Sequence, residues 1–180
     1  MGSFISKEAH HSLNARLSEL VYGDSQGHIS INSLSETGSL DVERWLSWNV
    51  ERNFTEKYIG LRSDEDVYYS VAKFSDEARS KDDPFSVARV VWADADTCAA
   101  EKFRVKPSII SVTAPGRYHC LWVLDKEYSA AKAEEVAHRI SVAHAADGCD
   151  KGFTRTKLLR VPNTTNTKGE PFTVTAEDTG

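Results

Sequence analysis

Two aspartates end the apolar segment VVWADAD (residues 90–96). The segment has the composition of a buried strand, in which alternate side chains share a face. Asp94 and Asp96 are therefore predicted to point the same way, with Cα atoms about 6.6 Å apart by strand rise. Unpaired carboxylates are costly to bury, whereas two at this spacing can hold one or two hard divalent cations through oxygen ligands. The pattern indicates a metal site; the simpler alternative is a strand that ends in solvent with two capping aspartates.

A second feature is the segment SIISVTAPGRYHCLWVL (residues 108–124), which contains two strand-like stretches around Pro115-Gly116. Proline followed by glycine is typical of a tight turn, so the segment is predicted to be a hairpin. The returning strand carries His119 close to the turn, a position that suits contact with an anion. A single histidine in such a place is more often structural, so its role depends on what else converges there.

The third feature is the cationic segment DKGFTRTKLLRVPNTTNTK (residues 150–168). Lys157 and Arg160 could neutralise phosphate oxygens, the arginine by a bidentate contact and the lysine as a point charge. Asp150 precedes the basic residues and is a candidate third carboxylate. Asp147 is the alternative, although its context AADG is typical of a helix end with Gly148 as the cap.

Composition places limits on the class of protein. The chain has 180 residues, is 40% hydrophobic and has a net charge of −5, which favours one globular domain. Three cysteines without a CxxC pair argue against a disulfide framework or a structural zinc site and favour a reducing cytoplasm. No apolar run approaches the roughly 20 residues that cross a bilayer. The negative net charge argues weakly against a nucleic-acid-binding protein. Residues 102–124 and 151–168, however, contain basic side chains and no acidic ones, so these two segments could still contact nucleic acid.

Hydrophobic periodicity predicts an α+β fold with a mixed or antiparallel sheet covered by helices. Helices are predicted for HHSLNARLSELVYG, which ends at Gly23, and for SLDVERWLSWNV. A third helix, SAAKAEEVAHRISVAHAA, is predicted to bury Ala133, Val136, Ala137, Ile140 and Ala143. SDEARSKDDPFS is predicted to be a loop or a single helical turn. The predicted strands are GHISINSL, DVYYSVAKF, VARVVWADAD, SIISVT, YHCLWVL, KLLRVP and FTVTA.

In this order, WADAD, PSIISVTAPGRYHCLWVL and KLLRVPNTTNTK resemble the archaeo-eukaryotic primase superfamily, and more closely the prim-pol (RepB-like primase) domain of phage and plasmid replication proteins. The resemblance covers about residues 66–168. It implies an RRM-like palm with an N-terminal helical elaboration. The expected organisation is an α/β elaboration over residues 1–65 that packs on a catalytic palm over residues 66–180.

The resemblance also implies a set of site residues. Asp94, Asp96 and Asp150 would hold two Mg²⁺ or Mn²⁺ ions, and His119 would contact the phosphates of the incoming nucleotide. Arg160 matches a position near the triphosphate, with Lys157 and Arg117 as further phosphate contacts. The usual PGT appears here as PNT, so Asn163 is expected to tolerate a positive φ. The histidine is approached by TAPGRYH, so Thr113 and Arg117 are expected to make altered contacts, and the cysteine spacing gives no support for a zinc stem.

The implied activity is that of a template-directed nucleotidyltransferase, a DNA primase-polymerase that synthesises primers or extends DNA in phage or plasmid replication. Expected partners are single-stranded DNA, dNTP or NTP substrates, and a helicase in the same polypeptide or replisome, since this chain has no GxxxxGK[ST]. The expected location is the cytoplasm of a bacterial host, with no membrane partner. Two alternatives remain open: a DxD metal-dependent glycosyltransferase and a non-catalytic DNA-binding replication initiator.

Overall fold

The structure is a computed structural model, and it describes residues 17–33, 42–48 and 64–180. Within these residues the chain forms ten strands, one long helix and two short 3-10 turns, and residues 17–22 are also helical. The elements are β1 (His28–Ser33), β2 (Val42–Ser47), β3 (Val67–Ser70), β4 (Val87–Asp96), a 3-10 turn (Ala100–Lys102), β5 (Ile109–Ala114), β6 (Arg117–Ser129), α1 (Ala130–Ala143), a second 3-10 turn (Ala145–Asp147), β7 (Leu158–Arg160), β8 (Thr165–Asn166), β9 (Phe172–Thr173) and β10 (Thr175–Asp178).

The strands form two four-stranded sheets and one two-stranded sheet. The first sheet has the order β2-β1-β3-β7, the second has the order β10-β5-β6-β4, and β8 pairs with β9. Every paired strand in these sheets is antiparallel, as the α+β prediction allowed. Because β1 pairs with β3, residues on both sides of position 66 share one sheet. Short bridges from Lys73 to Val87 and from Phe74 to His28 connect the two four-stranded sheets.

The main core lies around β4, whose two faces are both covered. Val90 and Trp92 have no exposed surface, and Val91 on the opposite face is 4% exposed. The helix α1 covers the second sheet through Ala133 and Ala137, whose small side chains let it approach β4 and β6 closely. The predicted inner face of α1 is wrong at Ala143, which is exposed, since the helix ends there and Ser141 is buried instead.

One predicted helix is wrong: SLDVERWLSWNV contains the strand β2. Leu46 and Trp48 are buried, and the intervening Ser47 is only partly so, which is the two-residue period of a strand. Trp45 packs its ring edge-to-face against Phe74, with ring centroids 6.0 Å apart. The apolar spacing in this segment fits a helix as well as a strand, and β1 decides between them by offering an unpaired edge on which all six residues of β2 find partners.

The other predicted elements are found in the described residues. Leu17 and Val21 are buried on the first helical segment, which ends at Gly23 with a φ of 60° and an N–H bonded to the Glu19 carbonyl. Leu13 lies outside the described residues. The predicted strand FTVTA is present as two short strands, β9 and β10, that break at the buried Val174. No helix in the described part of the chain is long and apolar enough to span a membrane.

A buried lysine closes the end of this core. The side chain of Lys73 is 1% exposed. Its ammonium pairs with Glu127 of β6 and donates to the carbonyl of Ser25 at 2.9 Å and to the Ser25 hydroxyl at 2.8 Å. Burial raises the pKa of the Glu127 carboxyl, but hydrogen bonds from Lys73 and Ser25 outweigh burial, so this pKa lies below its ordinary value. The pair therefore contributes to stability only while Glu127 is ionised.

We expect Glu127→Gln to lower the free energy of unfolding at neutral pH by about 2 kcal/mol, because it removes the charged partner of a buried ammonium. A carboxyl with a lowered folded pKa stabilises the protein above its unfolded pKa, and this contribution is lost as pH falls through the folded pKa. Urea unfolding as a function of pH should therefore show the two proteins converging in acid. Glu135→Gln, at an exposed pair on α1, is the control with a smaller effect. A pH-independent difference for Glu127→Gln would contradict the prediction.

Candidate active site

The two aspartates of WADAD lie beside His119. Asp94 faces His119 across the β4–β6 pair and Asp96 faces Tyr118, so two residues of β4 oppose one step of β6. This bulge leaves Ala95 fully buried and both aspartates partly exposed. Asp96 has a positive φ of 44°, a conformation that aspartate tolerates better than most residues. The charges of both carboxylates act on the pKa of His119.

Each aspartate has a cationic partner. Lys157 Nζ lies 2.5 Å from Asp94 Oδ2, in a pair whose side chains are 22% and 19% exposed. Arg117, from the turn end of β6, pairs with Asp96 in a more exposed position, where water screens the attraction. Two residues predicted to contact a triphosphate thus lie against the two predicted metal ligands. The negative charge of each of these two aspartates is therefore balanced by one cationic side chain. Both carboxylates attract positive charge to this part of the site.

His119 is neutral in this environment. Burial lowers its pKa to about 4, with Asp94 opposing and Lys157 adding to the shift. Its Nε2 is 3.7 Å from Asp94 Oδ1, which is too long for a hydrogen bond. Its Nδ1 is buried and has no hydrogen-bond partner among the described residues. Buried polar atoms are rarely left unpaired, so the ring offers the site a hydrogen-bonding atom for a ligand.

The segment around Asp150 runs along the end of β4. The Asp150 N–H donates to the Asp94 carbonyl at 2.9 Å, and the Ser141 hydroxyl of α1 donates to the Asp150 carbonyl. Gly152 packs so closely that a Cβ there would lie 3.1 Å from the Asp94 Cβ. Asp147, the alternative third carboxylate, instead lies 3.0 Å from the His144 ring. Of the two candidates, Asp150 is the one beside Asp94.

The donor chemistry fits a hard divalent cation such as Mg²⁺ or Mn²⁺. Asp94 and Asp96 offer carboxylate oxygens at the partly exposed end of a strand, already compensated by cations, with Asp150 adjacent. The three carboxylates are not preassembled, because within the described residues the one group of three donors that all lie within 4.8 Å of one another is Cys98, His144 and Asp147. The Asp150 carboxylate is exposed and accepts the N–H of Lys151 at 2.7 Å.

Arg160, predicted to lie near a triphosphate, is engaged elsewhere. Its guanidinium forms an ion pair with Asp66, which is 1% exposed, and lies 4.7 Å from the centre of the Tyr68 ring. Burial lowers the pKa of Arg160 to about 10. Asp66 also accepts the N–H and hydroxyl of Thr167, so the pair holds the chain that follows β8. Arg160 is therefore not directed at Asp94 in this structure.

Sequence reasoning missed Asp66 and Tyr68. Burial raises the pKa of the Tyr68 hydroxyl, and the charge of Asp94 raises it further. The Tyr68 ring also lies 4.7 Å from the Arg160 guanidinium. A signal was present: Asp66 is an acid directly before an apolar strand, DVYYS, as Asp94 is an acid at the end of one. This signal is not specific, because a single acidic residue directly before a strand is common.

The PNT turn has the backbone that the sequence predicts. Asn163 has a φ of 64°, and its N–H donates to the Val174 carbonyl at 2.7 Å. Beyond the turn, the Asn166 side chain donates to the carbonyl of Thr113 at 2.6 Å. The Thr113 hydroxyl in turn donates to the Arg117 carbonyl at 3.4 Å. The basic segment is thereby joined to the hairpin that carries His119.

The two basic tracts differ in how their charges are used. Lys102, Arg104 and Lys106 are exposed around the first 3-10 turn. In the second tract Arg155 pairs with Glu134 at 2.6 Å, and Lys157 and Arg160 are paired as described above, whereas Lys151 and Lys168 are exposed. The cationic surface is therefore smaller than the sequence suggests.

The fold has counterparts among solved structures. The catalytic domain of primase RepB′ in complex with initiator DNA aligns with a TM-score of 0.64 and 14% identity, over 93% of this chain and 84% of that one. A second RepB′ primase structure aligns with a TM-score of 0.62 and 14% identity, over 93% and 56% of the two chains. The AEP domain of the cyanophage S-2L primase-polymerase aligns with a TM-score of 0.63 and 11% identity, over 94% and 90%.

No protein-family model matches the chain, and no curated protein matches it by sequence. At identities this low, the structural likeness shows the fold alone. The chain has the fold of these archaeo-eukaryotic primase catalytic domains, as the order of its sequence motifs predicts.

Proposed function

We propose that this chain is a template-directed nucleotidyltransferase, a DNA primase-polymerase that synthesises primers, extends DNA or does both in phage or plasmid replication. The observation that carries the proposal is the convergence of Asp94, Asp96 and His119 on one end of the β4–β6 pair. Primase catalytic domains share this fold. In phosphoryl transfer the protein mainly positions the reactants and neutralises charge, which suits a site built from carboxylates, a neutral imidazole and the cationic side chains of Lys157 and Arg117.

Asp94 and Asp96 would hold Mg²⁺ or Mn²⁺ ions, with Asp150 as the third ligand. Two bound ions supply the charge that activates a 3′-hydroxyl and stabilises the leaving pyrophosphate. Neutral His119 would hydrogen-bond a phosphate oxygen of the incoming dNTP or NTP. Lys157 and Arg117 are long enough to turn from the carboxylates to the triphosphate and would neutralise it.

Arg160 has a supporting role in this proposal. The resemblance implies that Arg160 binds the triphosphate. To do so, it would have to break its buried ion pair with Asp66. Held in that pair, it would fix the Tyr68 ring and, through Asp66, the chain at Thr167. It is thus a positioning residue rather than a phosphate ligand.

The template partner in this proposal is single-stranded DNA. Lys102, Arg104 and Lys106 form an exposed basic patch that would follow a nucleic-acid backbone, with affinity that falls as salt rises. A helicase, in the same polypeptide or as a replisome partner, would unwind the DNA. The sequence contains no GxxxxGK[ST] phosphate-binding loop of the kind that helicases use to hydrolyse ATP.

The test is incubation with single-stranded DNA, labelled nucleotides and Mn²⁺, with and without a primer. Products without a primer support a primase, and products only with a primer support a polymerase. Retained DNA binding without any product under either condition would overturn the enzymatic proposal in favour of a replication-initiator module.

We expect His119→Ala to raise the apparent KM for nucleotide by about 10-fold or more, the loss of one hydrogen bond to a charged group. Because the imidazole binds substrate rather than holding the ions, kcat should change less than KM. Steady-state primer extension measures both constants. His138→Ala, at an exposed histidine of α1 that stacks on Phe153, is the matched control and should leave KM unchanged. An unchanged KM in His119→Ala would remove His119 from the nucleotide site.

A further inference from the structure

Three donor groups meet close to the end of β4. The cysteine sulfur of Cys98, one ring nitrogen of His144 and a carboxylate oxygen of Asp147 all lie within 4.8 Å of one another. They come from two distant parts of the chain, the loop after β4 and the turn after α1, and no sequence motif connects them. The proposed polymerase site uses none of the three.

The backbone that presents these donors is held on both sides. The Cys98 N–H donates to the Ala95 carbonyl at 2.7 Å, and in the turn after α1 the N–H groups of Asp147 and Cys149 both donate to the His144 carbonyl, at 3.0 and 3.1 Å. Gly148 has a φ of 99°, and a Cβ there would overlap the Thr97 hydroxyl. The turn therefore packs directly on the residue that precedes Cys98, and only glycine permits that approach.

The side chains are also constrained. The His144 ring packs on Phe103, with ring centroids 4.6 Å apart, and its Nδ1 lies 3.0 Å from Asp147 Oδ2. Cys98 is fully buried, and within the described residues its thiol donates weakly to the Ala99 carbonyl, at 3.8 Å. A hydrogen bond between His144 and Asp147 at the helix end accounts for the positions of these two side chains without any ligand. It does not account for the Cys98 thiol, which is buried close to both.

A thiolate, an imidazole and a carboxylate are together a donor set for zinc or cobalt rather than for magnesium or calcium, which prefer oxygen alone. In a tetrahedral zinc site the donors lie about 3.3–3.8 Å apart, as bond lengths of about 2.0–2.3 Å require. Donors already within 4.8 Å reach this arrangement by side-chain rotation. Asp147 is exposed, so an ion has a path from solvent and a fourth position open to water.

We propose that Cys98, His144 and Asp147 form a zinc-binding site that joins the loop after β4 to the turn after α1. On binding, Zn²⁺ displaces the thiol proton of Cys98 to solvent and forms one bond to each of the three side chains, with water in the fourth position. The site is separate from the Asp94–Asp96 pair, and its existence does not depend on the polymerase proposal.

The position of the site gives it a structural effect. Cys98 follows Asp96 by two residues, and Cys149, next to Asp150, packs its sulfur 3.5 Å from the Asp94 carbonyl. A bound ion would thus fix the two segments that carry the three aspartates.

The experiment uses the protein after chelator treatment, titrated with Co²⁺ and then with Zn²⁺. We expect one equivalent of Co²⁺ per chain with a thiolate-to-cobalt charge-transfer band in the near ultraviolet, and loss of the band when Zn²⁺ displaces it. A large excess of Mg²⁺ should leave the band in place. Zn²⁺ should also raise the midpoint of thermal unfolding, because it binds the folded state.

Single substitutions locate the ion. Cys98→Ala should remove the thiolate band, and His144→Gln and Asp147→Asn should each weaken Co²⁺ binding by at least about 10-fold, the least expected for the loss of a ligand. The last two replace side chains that are partly exposed, so they test the site even where Cys98→Ala does not fold. Cys149→Ala and Asp94→Asn are the controls, and both should retain the band. No thiolate band in the unmodified protein, or a band that Cys149→Ala removes and Cys98→Ala keeps, would overturn the proposal.

Discussion

An Asp94→Asn variant is expected to incorporate nucleotides more than about 100-fold more slowly with Mn²⁺ or Mg²⁺. Substituting a residue that only supports a metal ligand typically costs about 10- to 100-fold, and loss of a ligand itself should cost more. Asp94 is the residue on which the proposed site converges: it faces His119, pairs with Lys157 and has the Asp150 backbone bonded to its carbonyl. Asparagine keeps the shape of the side chain and removes the charge that holds a divalent ion.

The fold should survive this change. The Lys157–Asp94 pair is partly exposed, so its loss is expected to cost about 1 kcal/mol or less of the free energy of unfolding. Asp125→Asn, at an exposed aspartate of β6 bonded to the Tyr128 hydroxyl, is the matched control and should synthesise normally. Primer extension and urea unfolding on the same preparations separate the two effects. Undiminished synthesis by the Asp94→Asn, Asp96→Asn double variant would show that these carboxylates are not the metal ligands.

Arg160→Leu is expected to lower the free energy of unfolding by about 3–5 kcal/mol, because it leaves the carboxylate of Asp66 buried without a counter-charge. Asp66 is 1% exposed, so water cannot replace the guanidinium. The change also removes the contact with the Tyr68 ring. Urea unfolding followed by circular dichroism measures the difference.

Two further variants identify the cause. Asp66→Asn combined with Arg160→Leu should recover part of the lost stability, because neither member of the pair then leaves a buried charge behind. Arg155→Leu breaks the more exposed pair with Glu134 and should cost less. Wild-type stability in Arg160→Leu, together with a raised KM for nucleotide, would instead return Arg160 to the triphosphate site.

Much of the second sheet follows from the sequence, because its strands are continuous in the chain and strongly apolar. The Pro115-Gly116 turn determines that β5 and the strand with His119 pair, since a short turn forces adjacent antiparallel pairing. The neighbourhood of Asp94 and His119 is a consequence of that hairpin and of β4 pairing with it. The positive φ of Asn163 is equally local and equally predictable.

Features that depend on distant partners are harder to predict from the sequence. β2 is a strand because β1 offers it an edge, although its apolar spacing fits a helix too. Arg160 looks like a phosphate ligand along the chain and is paired instead with Asp66, which only the β3–β7 contact brings near. Cys98 and His144 lie in different segments, so cysteine spacing alone does not indicate that their donor atoms come together.

The pairing of β3 with β7 also has a consequence for how the protein reaches its folded state. Tyr69 lies opposite Leu159, so the first sheet remains incomplete until the chain beyond α1 has been made and has returned to it. Closing so long a loop costs chain entropy before any contact compensates for it. Proteins dominated by such non-local strand pairs refold in about milliseconds to seconds, whereas small helical proteins need microseconds. During synthesis on the ribosome, the emerging N-terminal strands must therefore wait with an open edge for the C-terminal third of the chain.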